Sequence, residues 1–337
     1  MDEGFKLTSA FALPWSFALH SQAGRHALES EERAVACGLL TGDANDPDTE
    51  RFRAFVPLDA HVYPYASLTA LGVVGSFNQW LYFLDDQYDD HPETHSDLER
   101  IRGIMQQGYD LLCGMPMPDG AGPFVRFTRD VRRDLEALAP LGFFERFLTN
   151  VRQYLFDGTL VGLGHWVRRE TLCLDEYVAL RSLDSGVYPV VDCIEIASGL
   201  PLAPEVRQHP LIAAMGDLAV RHVALANDIF SYEKEVLVNG STMNLVHVLR
   251  EREGLSVEGA AMQAVNLVND LTRAFVRAEQ TLPPFRPAWR DAVDAYITGL
   301  KTWMRGNVDF SLSSRRFRSG ASPFAELREA EEALLSA

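Results

Sequence analysis

Positive charge is scarce in this sequence: 31 lysines and arginines face 47 aspartates and glutamates, for a net charge of −16 over 337 residues. Binding to a phosphate backbone leans on clustered Lys and Arg, so a nucleic-acid partner is not expected. An anionic small molecule stays compatible if metal ions mediate the contact. Cysteine is sparse too. Cys37, Cys113, Cys173 and Cys193 are widely spaced, with no CxxC and no histidine at zinc-finger spacing. They read as reduced, mostly buried thiols in a cytoplasmic protein. No uninterrupted run of about 18 apolar residues occurs, so no membrane span is expected. Residues 1–30 lack the basic stretch and apolar core of a signal peptide. Strand-like alternation, internal repeats and low-complexity linkers are missing as well. What remains, 47% hydrophobic and 23% charged, is the composition of a soluble globular protein with ample core.

That core is patterned for helices. Apolar residues recur at i, i+3, i+4 and i+7 over roughly 27–40, 66–84, 95–113, 122–137, 142–167, 174–199, 208–238, 241–252, 256–281 and 286–306. Breakers such as "GDANDPD" at 42–48 and "GMPMPDGAGP" at 114–123 separate them. The connectors are short, so the expectation is an all-α fold of about ten helices in a single domain spanning 1–337. One segment disobeys: "RSLDSGVYPVVDCIEIASG" at 181–199 carries Ser185-Gly186 and Pro189 inside an apolar helical pattern. Interior Gly costs about 1 kcal/mol and Pro about 3, so the segment is either two helices with a loop or one helix with a functional break.

The stretch "LYFLDDQYDD" at 81–90 ends an apolar helix in four aspartates. Asp85/Asp89 and Asp86/Asp90 stand at the i,i+4 spacing that is unfavourable for like charges. A solvated helix end is one explanation; a cation between the carboxylates is the other. A second stretch, "VALANDIFSYEKE" at 223–235, puts Asn227, Ser231 and Glu235 at i, i+4 and i+8, within about 40° of one line along a helix. Oxygen donors on one face, only one of them charged, suit a hard divalent ion such as magnesium, which keeps waters and substrate phosphates in its shell. Two such helices facing across a cavity mouth would hold several magnesium ions against a diphosphate. His91 and His95 follow the aspartates, but magnesium disfavours imidazole, and they read as loop residues.

With "DDQYD" at 85–89 and "NDIFSYEKE" at 227–235, of the form ND-x2-S-x2-KE, the sequence resembles the bacterial class I terpene synthases. The resemblance covers about residues 8–320, leaving 321–337 as a tail. It implies a helical bundle around a central apolar cavity, three Mg²⁺ ions, and metal ligation by Asp85, Asp86, Asp89, Asn227, Ser231 and Glu235. Arg181 then matches the arginine that senses the diphosphate, and Asp184 and Ser185 match the linker and effector positions of the same induced-fit element. Lys234 and Arg316 are implied diphosphate contacts. "GNVDFSLSSRRF" at 306–317 departs from the family's terminal Arg-Tyr pair by carrying Phe317, and Ser185 departs from the frequent effector glycine. Tyr82, Trp303 and Phe310 are implied aromatic walls, able to stabilise a carbocation by cation–π attraction.

The implied activity is magnesium-dependent ionisation of a linear prenyl diphosphate and cyclisation of the cation, with diphosphate released: a carbon–oxygen lyase. A homodimer is a common assembly in the resembling family. Small residues at Ala224, Gly162 and Gly164 lean towards a C20 rather than a C15 substrate. The alternatives are a chain-elongating prenyl-diphosphate synthase, which calls for a second DDxxD, and a non-catalytic helical binding protein with both acidic stretches in solvent.

Overall fold

The computed structural model describes residues 6–86, 97–320 and 322–328. All regular structure among them is helical. In chain order the helices are α1 (Ala23–Cys37), α2 (Pro47–Phe55), α3 (Pro57–Val62), α4 (Leu68–Asp86), α5 (Leu98–Leu112), α6 (Pro123–Leu138), α7 (Phe143–Arg152), α8 (Leu160–Val167), α9 (Leu174–Asp184), α10 (Val187–Asp192), α11 (Ile194–Ser198), α12 (Pro210–Tyr232), α13 (Leu245–Glu253), α14 (Val257–Gln280) and α15 (Pro287–Ser313). Single turns at Leu7–Ala10, Pro204–Arg207 and Ala325–Arg328, a 3-10 turn at Arg315–Phe317 and two π-helical turns complete the set.

Helix starts follow local chemistry. Proline occupies the first helical position of α2, α3, α6, α12 and α15, where no intrahelical N–H partner is needed. The Ser256 hydroxyl accepts from Gly259 N at 3.1 Å to open α14, and Asn244 Oδ1 accepts from Val246 N at 2.9 Å to open α13. The most apolar long helix, α4, buries Leu71, Val74, Phe77, Trp80 and Leu84 completely. Helix α12 packs chiefly on α14 and α15, so its motif-bearing end is walled on two sides.

Three differences from the sequence expectation have physical causes. Helices α2 and α3 were not anticipated, because nine and six residues are too few to show periodicity. The helix expected to end near 306 runs to Ser313. Gly306 lies inside it because α15 crosses the α3 backbone there, where a Cβ would collide with the His61 carbonyl. Long segments are also interrupted: π-helical turns replace regular helix at Gln153–Thr159, between α7 and α8, and at Glu233–Val238, after α12. The cysteines are all free, but only Cys37 and Cys193 are buried; Cys113 and Cys173 are exposed. Among the described residues no helix is long and apolar enough to cross a membrane.

The segment 181–199 resolves as a break. Helix α9 ends at Asp184, Gly186 adopts φ +68°, and α10 begins at Val187. The positive φ suits glycine alone among common residues, and Pro189 falls in the first turn of α10, where it displaces no hydrogen bond.

Candidate active site

A cavity of about 450 Å³ opens at the ends of α4 and α12, within the usual size range for small-molecule sites. Leu81, Leu163, Val190, Val223 and Trp303 belong to its apolar wall, and its mouth carries Asp85, Arg181, Asn227, Lys234, Glu235 and Arg316. Every described member of the expected site lines this one cavity: Tyr82, Asp85, Arg181, Asp184, Ser185, Asn227, Ser231, Lys234, Glu235, Trp303, Phe310 and Arg316. The Asp86 side chain, Asp89, His91 and His95 lie outside the described residues. Among those described, no cluster of three or more His, Cys, Asp or Glu side chains forms a metal cage.

Arg181 is the hub of the mouth. Its Nε donates to Asp228 Oδ1 at 2.7 Å, its Nη2 to Asn227 Oδ1 at 3.2 Å and its Nη1 to the Asp184 carbonyl at 3.5 Å. It therefore ties α12 to the last residue before the helix break. Burial opposes its charge, but Asp228, Tyr177, Asp184 and Glu235 together outweigh that and hold its pKa well above the ordinary arginine value. Asp184 shares the buried environment: desolvation pushes its carboxyl up to about 6, against the pull of Arg181, with the charge of Asp85 adding to the rise. Ser185 caps the break, accepting from Val187 N at 3.3 Å and donating to the Ser182 carbonyl at 3.1 Å.

The oxygen donors sit on three elements, α4, α12 and the second π turn. Tyr154, from the first π turn, donates its hydroxyl to Asp85 Oδ1 at 2.9 Å. Ser231 donates back to the Asn227 carbonyl at 3.0 Å. Glu235 lies on the second π turn, and Asn244 Nδ2 reaches its Oε2 at 2.8 Å. Asp85, Asn227, Ser231 and Glu235 offer oxygen only, without sulfur or imidazole among them, so the set fits a hard divalent cation. On the opposite rim the Arg316 guanidinium rests 5.7 Å from the ring centres of both Phe55 and Tyr82, within cation–π range. Phe317 packs its ring near Phe230 and Phe310, at 6.0 and 6.1 Å.

The sequence reading missed Asp228. It is fully buried, and beyond its pair with Arg181 it accepts from the Tyr177 hydroxyl and from Leu245 N at 3.0 Å. Burial and the neighbouring carboxylate push the Tyr177 phenol well above its ordinary value, which keeps it a donor. The only local signal was its place beside Asn227.

A family model described as "Terpene synthase family 2, C-terminal metal binding" matches residues 76–274. This chain belongs to terpene synthase family 2. The synthase is 30% identical to pristinol synthase of Streptomyces pristinaespiralis, over 92% of this chain and 85% of that protein. It is 27% identical to 10-epi-cubebol synthase of Sorangium cellulosum, over 88% and 94%. With a (+)-T-muurolol synthase ((2E,6E)-farnesyl diphosphate cyclizing) of Roseiflexus castenholzii it shares 28%, over 94% and 95%. Its fold matches germacradien-4-ol synthase from Streptomyces citricolor with a TM-score of 0.76 at 19% identity, covering 91% of this chain and 99% of that one.

The lean towards a C20 substrate has no support. Relatives whose names give a substrate, among them two (+)-T-muurolol synthases and a 4-epi-cubebol synthase, cyclise farnesyl diphosphate. Of the three small residues, Ala224 and Gly162 line the cavity and Gly164 does not. Gly164 faces Arg168, while a Cβ on Gly162 would stand 3.2 Å from Asp184 Oδ2, so its smallness admits that carboxylate.

Proposed function

We propose that this terpene synthase ionises farnesyl diphosphate and cyclises the resulting cation to a C15 product, with release of diphosphate. The carrying observation is the Arg181 bridge, which joins the Asn227–Asp228 pair of one motif to the helix break at Asp184–Gly186. A cation at the mouth that is hydrogen-bonded to both elements is placed to register a diphosphate and pass its arrival to the break.

Asp85, Asn227, Ser231 and Glu235, which line the cavity, together with Asp86 and Asp89, which rest on the family resemblance alone, would hold three magnesium ions. Magnesium supplies Lewis-acid neutralisation of the charge that grows on the departing diphosphate. Arg181, Lys234 and Arg316 contact the same group, with Arg316 leaving the faces of Phe55 and Tyr82 to do so. Arg181, whose side chain is largely buried, acts more strongly there than in bulk solvent, whereas Lys234 is half-buried and Arg316 exposed. Arg181 relays the bound diphosphate through Asp184 to the break, and the Ser185 carbonyl directs its negative end at the forming cation. Tyr82, Trp303 and Phe310 then guide the hydrocarbon cation by their ring faces, each worth about 0.5–2 kcal/mol. The family match favours this reading over chain elongation and over a non-catalytic role.

The test is incubation with Mg²⁺ and, separately, geranyl, farnesyl and geranylgeranyl diphosphate, with gas chromatography–mass spectrometry of a hexane extract. A cyclic C15 product from farnesyl diphosphate, absent with EDTA, is expected. An elongated diphosphate, or a cyclic product from the C20 substrate alone, overturns the proposal.

A further inference from the structure

Residues 322–328 lie beyond the resemblance to the bacterial synthases, yet they are built into the fold. Phe324 and Leu327 are buried, in an apolar cluster that also takes in Leu7, Phe230 and Val308. The Glu326 carboxylate accepts from Thr8 N at 3.4 Å. Anchored in this way, the turn holds the two residues that lead into it. Its Glu326 carbonyl accepts from Arg318 Nη1 at 3.1 Å, and its Leu327 carbonyl from Ser319 N at 3.3 Å. Both Arg318 and Ser319 line the cavity.

Ser319 also reaches across to the second acidic motif. Its hydroxyl donates to Oε1 of Glu233, which opens the second π turn and lines the cavity one residue before Lys234. The ionisation chemistry gives this carboxylate no task, and a free negative charge beside a bound diphosphate would repel it. Paired with Ser319, it instead ties the π turn to the chain that crosses the mouth. That chain is tied at its other end too, where Ser314 Oγ donates to the Ala54 carbonyl of α2 at 2.7 Å. The same hydroxyl accepts from Arg316 N at 3.1 Å. Arg316 stands between the two ties and is exposed. An exposed arginine on a loose segment loses conformational freedom whenever it grips an anion, and a backbone fixed beforehand removes part of that loss.

We propose that Glu233 and Ser319 form a clasp that holds residues 314–319 across the mouth, and that both are positioning residues for Arg316 when it grips the diphosphate. This rests on the cyclase reading above. The turn at Ala325–Arg328 anchors one half of the clasp, and the second π turn carries the other. One π turn therefore serves both rims. It brings Lys234 and Glu235 to the mouth and, through Glu233, fixes the backbone that bears Arg316.

The experiment is calorimetric titration of the full chain with inorganic diphosphate in Mg²⁺, alongside kcat/KM for farnesyl diphosphate. Ser319→Ala and Glu233→Ala should each weaken diphosphate binding and lower kcat/KM by about tenfold, the measure of one hydrogen bond to a charged group. Glu233→Gln keeps an accepting carbonyl and should stay within about twofold of the wild type. In an Arg316→Ala background, Ser319→Ala should cost less than about twofold more, because the residue being positioned is gone. A general loosening of the fold would act equally with Arg316 present or absent. Should one alanine variant fail to fold, the other gives the same readout. Wild-type affinity in a folded alanine variant, equal losses in both backgrounds, or Glu233→Gln as weak as Glu233→Ala overturns the clasp while leaving the cyclase intact. Failure of the folded wild type to release diphosphate from any prenyl diphosphate overturns the cyclase reading and this inference with it.

Discussion

Asp228→Asn is the most informative single substitution at the mouth, because it changes a charge and one donor pattern while keeping the shape. In the wild type one carboxylate oxygen receives Arg181 Nε at 2.7 Å, and the other receives the Tyr177 hydroxyl and Leu245 N. The asparagine carbonyl can still accept from Arg181, but its NH₂ then faces Tyr177 and the Leu245 N–H. Tyr177 can rotate its hydrogen and accept; the buried amide of Leu245 cannot. An orphaned buried donor costs about 1–3 kcal/mol, and breaking a buried ion pair at one partner about 3–5. These overlap, so we take about 3 kcal/mol in total. With an unfolding entropy of about 2.1 cal/mol/K per residue, a chain of this length should lose about 4 °C in Tm.

Activity should suffer more than stability. Arg181 is oriented chiefly by Asp228, and misplacing a positioning group by about 1 Å costs on the order of a hundredfold in rate. Scanning calorimetry gives the first number and diphosphate release with farnesyl diphosphate gives the second. A double-mutant cycle with Arg181→Met apportions the pair, with a coupling of about 2–3 kcal/mol expected. A Tm within 1 °C of wild type, together with wild-type kcat/KM, would refute the reasoning. The same geometry implies that Arg181→Ala harms folding as well as ionisation, because it strands a fully buried carboxylate.

His222 is fully buried on α12, neither ring nitrogen finds a partner among the described residues, and burial depresses its pKa to about 3. Below about pH 6.5 the unfolded chain takes up a proton that the folded one refuses, so stability falls as pH drops from there towards 3, by up to about 1.4 kcal/mol per unit. His222→Leu should therefore shrink the difference in urea-unfolding free energy between pH 7 and pH 5 by about 2 kcal/mol; an unaltered difference would show that the histidine is protonated in the fold. Gly158→Ala places a Cβ 2.7 Å from the backbone of Leu183 and Asp184, whereas Gly164→Ala meets only the flexible end of Arg168. The first should cost about 1–3 kcal/mol by overpacking and slow diphosphate release, the second should do neither, and equal effects would count against the close approach at the break. Phe317→Tyr, at a half-buried ring beside Phe230 and Phe310, should leave Tm within about 1 °C, since changes at such sites stay near ±0.5 kcal/mol; a loss of several degrees would place the ring edge in the core.

How much of this site could be read in advance depends on how far apart in sequence the interacting groups lie. Asn227 and Ser231 were legible because the regular turn of α12 carries them on one face, and the helix break was legible because Gly186 and Pro189 violate a helical interior. Glu235 reaches the same cavity by another route: it lies on a π turn, so the face calculated for an ideal helix does not describe it. Asp228 was hidden by the same periodicity that exposed Asn227, because the next residue points about 100° away, and its partners Tyr177 and Leu245 come from other helices. The pairing of Glu233 with Ser319 is further out of reach, since the two stand 86 positions apart and no local window contains both. Periodicity can thus indicate which residues share a face. It cannot show which buried charge lies behind that face, and in this synthase the orientation of Arg181 is set by such a charge.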